Sequence, residues 1–192
     1  MYYIVEDDDK LMRVSLEDAV PEPELVIDNI DRPWSLAMDG TYLLISIANE
    51  KRIAKLNLLA PPYELSTVIS DVEGPSELFV QEKELFYIEE FKNRVCKLNL
   101  NSPDPKCIEL LGDIITPIDL LIHNNTLYVT ETFRGNLLKL DLGHENISKY
   151  FDTSNKYLPE SYWKLDLPKR PYKPKPIHHT YTGGQKNNAR FL

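Results

Sequence analysis

Pro33-Trp34-Ser35-Leu36-Ala37-Met38-Asp39-Gly40-Thr41-Tyr42-Leu43-Leu44-Ile45 opens a stretch that returns twice, each time 42 residues further on. Pro75-Ser76-Glu77-Leu78 leads to Leu85-Phe86-Tyr87-Ile88, and Pro117-Ile118-Asp119-Leu120 leads to Leu127-Tyr128-Val129-Thr130. Each copy then reaches a basic-apolar run: Arg52-Ile53-Ala54-Lys55-Leu56-Asn57-Leu58, Arg94-Val95-Cys96-Lys97-Leu98-Asn99-Leu100 and Asn136-Leu137-Leu138-Lys139-Leu140-Asp141-Leu142. Counting back another 42 residues recovers a fourth copy without its first part, Tyr2-Tyr3-Ile4-Val5 followed by Lys10 to Leu16. No gap is needed anywhere. Self-similarity at such a period marks one supersecondary unit used repeatedly.

Within a repeat the apolar runs are short, bounded by turn residues and rich in Ile, Val, Leu and Tyr, which reads as strand. Asp39-Gly40 and Asn124-Asn125 are tight-turn pairs between the first and second strands, with Glu82-Lys83-Glu84 a less typical turn in the middle copy. The Lys-Leu-Asn-Leu type segment is a third strand. Leu25-Val26-Ile27, Thr67-Val68-Ile69, Cys107 to Leu111 and Ile147 to Phe151 supply a fourth. Four antiparallel strands every 42 residues predict an all-β chain, a β-propeller of four-stranded blades. A leucine-rich solenoid has shorter repeats with one strand each, and no helical period of 3.6 runs through the apolar positions.

The expected organisation is a propeller over residues 1–152, with a partial blade at 1–30 and blades at 31–71, 73–113 and 115–152. Because the chain begins mid-blade, two explanations stand. Either it is a piece of a larger propeller, six to eight blades closing more comfortably than four, or it completes itself. Completion would come by self-association or by Tyr162-Trp163-Lys164-Leu165-Asp166-Leu167 supplying the missing strand, so 153–167 is read as a closing segment. Residues 168–192 form a basic, Pro-rich tail, extended in the polyproline manner. That tail is a solvated linker, a strap along the acidic body, or a ligand for a separate partner.

The Pro-x-x-Leu opening, the Leu-Tyr-Val-x-Glu type strand and the Asn-x-Leu-x-Lys-Leu-Asp-Leu run together resemble the NHL-repeat propellers. They are also similar to the senescence-marker-protein, gluconolactonase-like propellers. The resemblance spans residues 1–152 and speaks for architecture, since those families hold interaction scaffolds, lyases and metal-dependent lactonases. The chain departs from them where Ser35, Glu77 and Asp119 replace the small residue two places after the proline, and in its few glycines. The lactonases' full set of Glu, Asn and Asp ligands is not recovered, so no catalytic residue carries over.

Charge divides the chain. Residues 1–163 carry 15 Lys/Arg against 29 Asp/Glu, a net of −14, and residues 164–192 carry 7 against 1, a net of +6. The acidic body would repel a phosphate backbone, which argues against a nucleic-acid binder. No stretch approaches the roughly 20 apolar residues of a membrane span. Cys96 and Cys107 flank Asn101-Ser102-Pro103-Asp104-Pro105, and a hairpin about Asn101 and Ser102 would set them opposite each other. A disulfide there would favour an oxidising, extracellular or periplasmic compartment. A pair of small buried hydrophobes is the other reading.

If the first strands line a central channel, Glu77 and Asp119 are carboxylates on neighbouring blades, able to collect a hard cation such as calcium with Ser35 as a weaker donor. A solvated acidic rim explains the same residues. Glu89 and Glu131 end two second strands, 42 residues apart, either as a second metal pair, as ends emerging into water, or as partners of Arg94 and Arg134. Trp34 is a stacking face for a ligand or an aromatic packed between blades. No catalytic arrangement is recognisable, and no cofactor is required beyond that calcium alternative. The expected function is therefore a non-catalytic binding or scaffold propeller for a protein or small ligand. The alternative is a metal-dependent lactonase or esterase using Glu77 and Asp119, or Glu89 and Glu131.

Overall fold

The computed structural model describes residues 1–132, 136–143 and 189–191. They form four antiparallel sheets and no α-helix. The second sheet runs β4 (Pro33–Asp39), β5 (Tyr42–Ile47), β6 (Arg52–Asn57) and β7 (Leu65–Ile69), each paired with the next. The third repeats it with β8 (Pro75–Gln81), β9 (Glu84–Glu89), β10 (Arg94–Asn99) and β11 (Ile108–Leu111). The fourth is described for β12 (Pro117–His123), β13 (Thr126–Glu131) and β14 (Asn136–Asp141). Its expected last strand at Ile147 to Phe151 lies outside the described residues. These are the blades of a propeller, as the repeat predicts.

The period extends to single backbone bonds. Ile30, Val72 and Ile114 donate their N–H groups to the carbonyls of Asp9, Lys51 and Asn93 at 3.0, 2.9 and 2.9 Å. Ala48, Glu90 and Thr132 do the same to Arg32, Gly74 and Thr116. Left-handed backbone recurs with them, at Asp9, Lys51 and Asn93, at Asn29, Asp71 and Asp113, and at Arg32, Gly74 and Thr116. Most of these sites are filled by side-chain-bearing residues, which is how the fold manages with so few glycines. The atypical turn is of the same kind: Glu82 and Lys83 take φ of +51° and +65°, the positive values a two-residue type I′ hairpin needs, as Asn124 and Asn125 do at +48° and +59°.

Burial follows from strand alternation, because successive side chains leave a sheet on opposite faces. Leu43, Ile45 and Ile47 of β5 join Ile4 and Leu11 of the first sheet in one core, while Leu44 joins Leu78, Leu85 and Tyr87 of the third sheet in another. Phe86 and Ile88 pack against Leu120, Leu127 and Val129 of the fourth sheet. Every interior sheet is therefore greasy on both faces, and each blade is stable only against its neighbours.

In the first sheet β1 (Tyr2–Val5), β2 (Lys10–Arg13) and β3 (Glu24–Ile27) hold the places of second, third and fourth strands. The missing first strand is β15 (Ala189–Phe191), antiparallel to β1 with Tyr3 opposite Phe191, Ile4 opposite Arg190 and Val5 opposite Ala189. Tyr162–Leu167, expected in that role, lies outside the described residues. The place beside β1 belongs instead to three residues within the stretch read as a tail. By register Ala189 and Phe191 stand where Pro33 and Leu36 stand in the second sheet, so Arg190 alone spans the place of Trp34 and Ser35.

Cys96 and Cys107 form a disulfide, with Cα atoms 5.6 Å apart. They are not directly opposite: Cys96 pairs with Glu109 in the ladder, beside a bulge after Val95, and Cys107 precedes β11. The bond closes a loop across a separation of 11 residues, for which the chain-entropy estimate is about 3 kcal/mol. Reduction, or the double change Cys96→Ala, Cys107→Ala, is expected to lower stability by about 2–3 kcal/mol in urea melts. An unchanged midpoint with dithiothreitol would contradict it.

Candidate functional site

The candidate residues gather at one end of the blades, where first strands begin and second strands end. Ser35 is buried on β4, and its Oγ donates to Glu77 Oε1 at 3.0 Å and accepts from Leu78 N–H at 3.2 Å. Ser46 Oγ donates to the Ser76 carbonyl at 2.7 Å and accepts from Ser35 N–H at 2.9 Å. These bonds stitch the second sheet to the third where their first strands meet. Glu77 thus serves a neighbouring blade. Asp119 is exposed, and its N–H donates to Thr130 Oγ1 at 3.1 Å within its own sheet.

Glu89 and Glu131 are buried, not emerging into water, with relative exposures of 1% and 2%. Each is a strut to its own blade. Glu89 Oε1 accepts from Glu73 N–H at 2.9 Å and Glu131 Oε1 accepts from Ile115 N–H at 2.8 Å, the same bond one repeat apart. Glu89 is further held by Arg94 Nε at 2.6 Å and by Lys92 Nζ at 2.7 Å, so the expected Arg94 pairing is present. Arg134 lies outside the described residues. Burial pushes the Glu89 carboxyl upward, but the Glu73 N–H, Lys92 and Arg94 outweigh it and hold the group below its ordinary 4.5. Burial, and then Glu89 itself, push the neighbouring Tyr87 phenol well up.

A calcium site needs six to eight oxygens converging on one point. Among the described residues, the only three metal-ligating side chains whose donor atoms all lie within 4.8 Å of one another are Glu89, Cys96 and Cys107. Two of those are joined as a disulfide and so offer no thiolate. Among the described residues, Glu77, Asp119, Glu89 and Glu131 do not form a cluster of three or more such donors.

The aromatic residues at this end tell a different story. Trp34 is half-buried beside the start of β4, with the Arg32 guanidinium 6.0 Å from its ring centre. Phe91, in the turn after β9, is 69% exposed yet held: its N–H donates to the Glu73 carbonyl at 3.1 Å, and its ring lies 3.0 Å from where a Cβ on Gly74 would stand. Gly74, at φ +66°, makes room for that ring. Ile118 is also exposed. Phe91 escaped the sequence reading because its position is not constant across the repeats: it falls where Asn49 and Phe133 stand in the adjoining ones.

No protein-family model matches the chain, and no curated protein sequence matches it. Solved structures do. A chain of a nidogen/laminin complex superposes with a TM-score of 0.60 at 17% identity, over 72% of this chain and 55% of that one. A catalytically inactive virginiamycin B lyase from Staphylococcus aureus, with quinupristin, gives 0.54 at 13% identity, over 76% and 53%. The chain thus spans about half the length of the propellers it resembles. At such identities the likeness establishes the fold, a β-propeller, and leaves the narrower NHL resemblance as a resemblance.

Proposed function

We propose that the chain is a non-catalytic binding propeller whose end around Trp34, Phe91 and Ile118 engages a protein partner. The observation that carries this is Phe91: a large aromatic ring left in water, yet locked by a backbone bond and a glycine floor. Rigid exposed aromatics make anchors, because little side-chain freedom is lost when they are covered. Trp34 under Arg32 adds the residue types most frequent in binding hot spots. The acidic body favours a partner with a basic rim. The likeness to a chain of a nidogen/laminin complex lends this reading support, and the likeness to a lyase keeps the enzymatic alternative in view.

Cation titration with thermal melting, alongside assays on lactones and aryl esters, separates the two classes. The expected result is indifference to calcium, zinc and manganese and no turnover. A photo-crosslinking residue at position 91 should then give a discrete adduct in extract. That adduct should weaken with salt and with Arg32→Ala, at unchanged melting temperature. Calcium stabilisation and ester turnover that both vanish in Asp119→Ala would overturn the proposal in favour of a hydrolase.

A further inference from the structure

At the opposite end of the blades, an open cleft of about 410 Å³ lies between the second and third sheets. Its size falls in the range of small-molecule sites, ~300–1,000 Å³. Blade two contributes Tyr42, Lys55 and Val68, and the β10–β11 loop closes it with Asn101, Ser102 and Pro103.

Lys55 differs from the equivalent residues of the blades on either side of it. The same basic position in the blade before is Arg13, which pairs with Glu24 at 2.6 Å. In the blade after it is Lys97, which pairs with Glu84 at 2.7 Å. Counting 42 residues from each, the acid positions around Lys55 are Ser66, where Glu24 stands, and Tyr42, where Glu84 stands. Both acids are gone. Among the described residues no carboxylate pairs with Lys55, and its ammonium rests over the Tyr42 ring, 5.2 Å from the centroid. The cleft's other charges, Lys83 and Asp39, cancel each other in an ion pair at 2.6 Å. A chain of net charge −8 therefore keeps one uncompensated cation facing a cavity with an aromatic wall.

We infer that this cleft binds a small organic carboxylate, whose anionic head takes the place at Lys55 that Glu84 takes at Lys97. Tyr42, Val68 and Pro103 cover the apolar body of such a ligand, and Asn101 and Ser102 offer polar contacts beside its head. This site is independent of the aromatic end: β4 places Trp34 and Asp39 five residues apart, on the order of 17 Å at strand spacing.

The test is an NMR titration of the full chain with benzoate, with benzamide as its uncharged isostere, and with inorganic phosphate. Saturable shifts of the Leu44, Asn101 and Ser102 amides are expected with benzoate, and binding about tenfold weaker or worse with benzamide. Tyr42→Glu installs the carboxylate that the next blade already tolerates, so the fold should persist while benzoate affinity falls about tenfold. Lys55→Gln should do the same. The inference fails if benzamide binds as tightly as benzoate, or if Tyr42→Glu leaves affinity unchanged with a native spectrum. It also fails if phosphate saturates the site while benzoate does not, or if no ligand gives saturable shifts.

Discussion

Glu89→Ala should be among the most damaging single substitutions in this chain, costing about 3–5 kcal/mol in urea denaturation. The carboxylate is buried and receives three separate donors, the Glu73 N–H, Arg94 and Lys92. Its removal orphans a backbone N–H beneath the turn that carries Phe91, and strips Arg94 of its inner partner while leaving Glu109 at 3.1 Å. The contrast is Asp8→Ala, which breaks an ion pair whose members are 39% and 57% exposed, and should change stability by under about 1 kcal/mol. Equal effects of the two would mean that Glu89 is no strut.

The same residue sets an acid limb. Its carboxyl is held below the ordinary 4.5 when folded, so its stabilisation is complete above that value. It is lost as pH falls from there through the lower folded value. Stability measured downward from pH 6 should therefore drop in that window, and Glu89→Gln should start lower and fall less steeply. An identical slope in the variant would remove the linkage.

How far these features were legible depends on what carries the signal. The blades were readable because apolar alternation and the proline positions are side-chain facts, repeated without a gap. The strut was half readable: Glu89 and Glu131 recur at one period, but their shared partner is a backbone N–H sixteen residues upstream, which has no side-chain identity. Acids at equivalent positions suggest a metal pair from the sequence, and the bond each makes within its own blade is visible only in the fold. The left-handed positions hid for a related reason, since Arg32, Gly74 and Thr116 share a backbone and little else. The Lys55 cleft was legible in principle. Setting Tyr42 beneath Glu84 shows an acid lost while its basic partner stays, and only the fold shows that the vacancy faces a cavity.

Deleting residues 189–192 should uncover the inner edge of β1. Three register pairs join β15 to β1, and their hydrogen bonds are together worth on the order of 3 kcal/mol. For a chain of this size that corresponds to a fall of roughly 10 °C in melting temperature. The larger consequence is exposure of a bare strand edge, whose free N–H and C=O groups are a template for another chain. Tyr2-Tyr3-Ile4-Val5 is apolar and carries no charge to deter pairing, so the truncated chain should scatter light and bind thioflavin at temperatures where the full chain does not. Two variants separate the strand from its composition. Arg190→Pro removes a backbone donor and should imitate the deletion, whereas Arg190→Thr keeps the backbone bonds and should not. If the deletion and Arg190→Pro both leave solubility and melting unchanged, the pairing of β15 with β1 contributes nothing. The first blade would then be stable on the face it shares with β4 and β5, where Ile4 and Leu11 are packed.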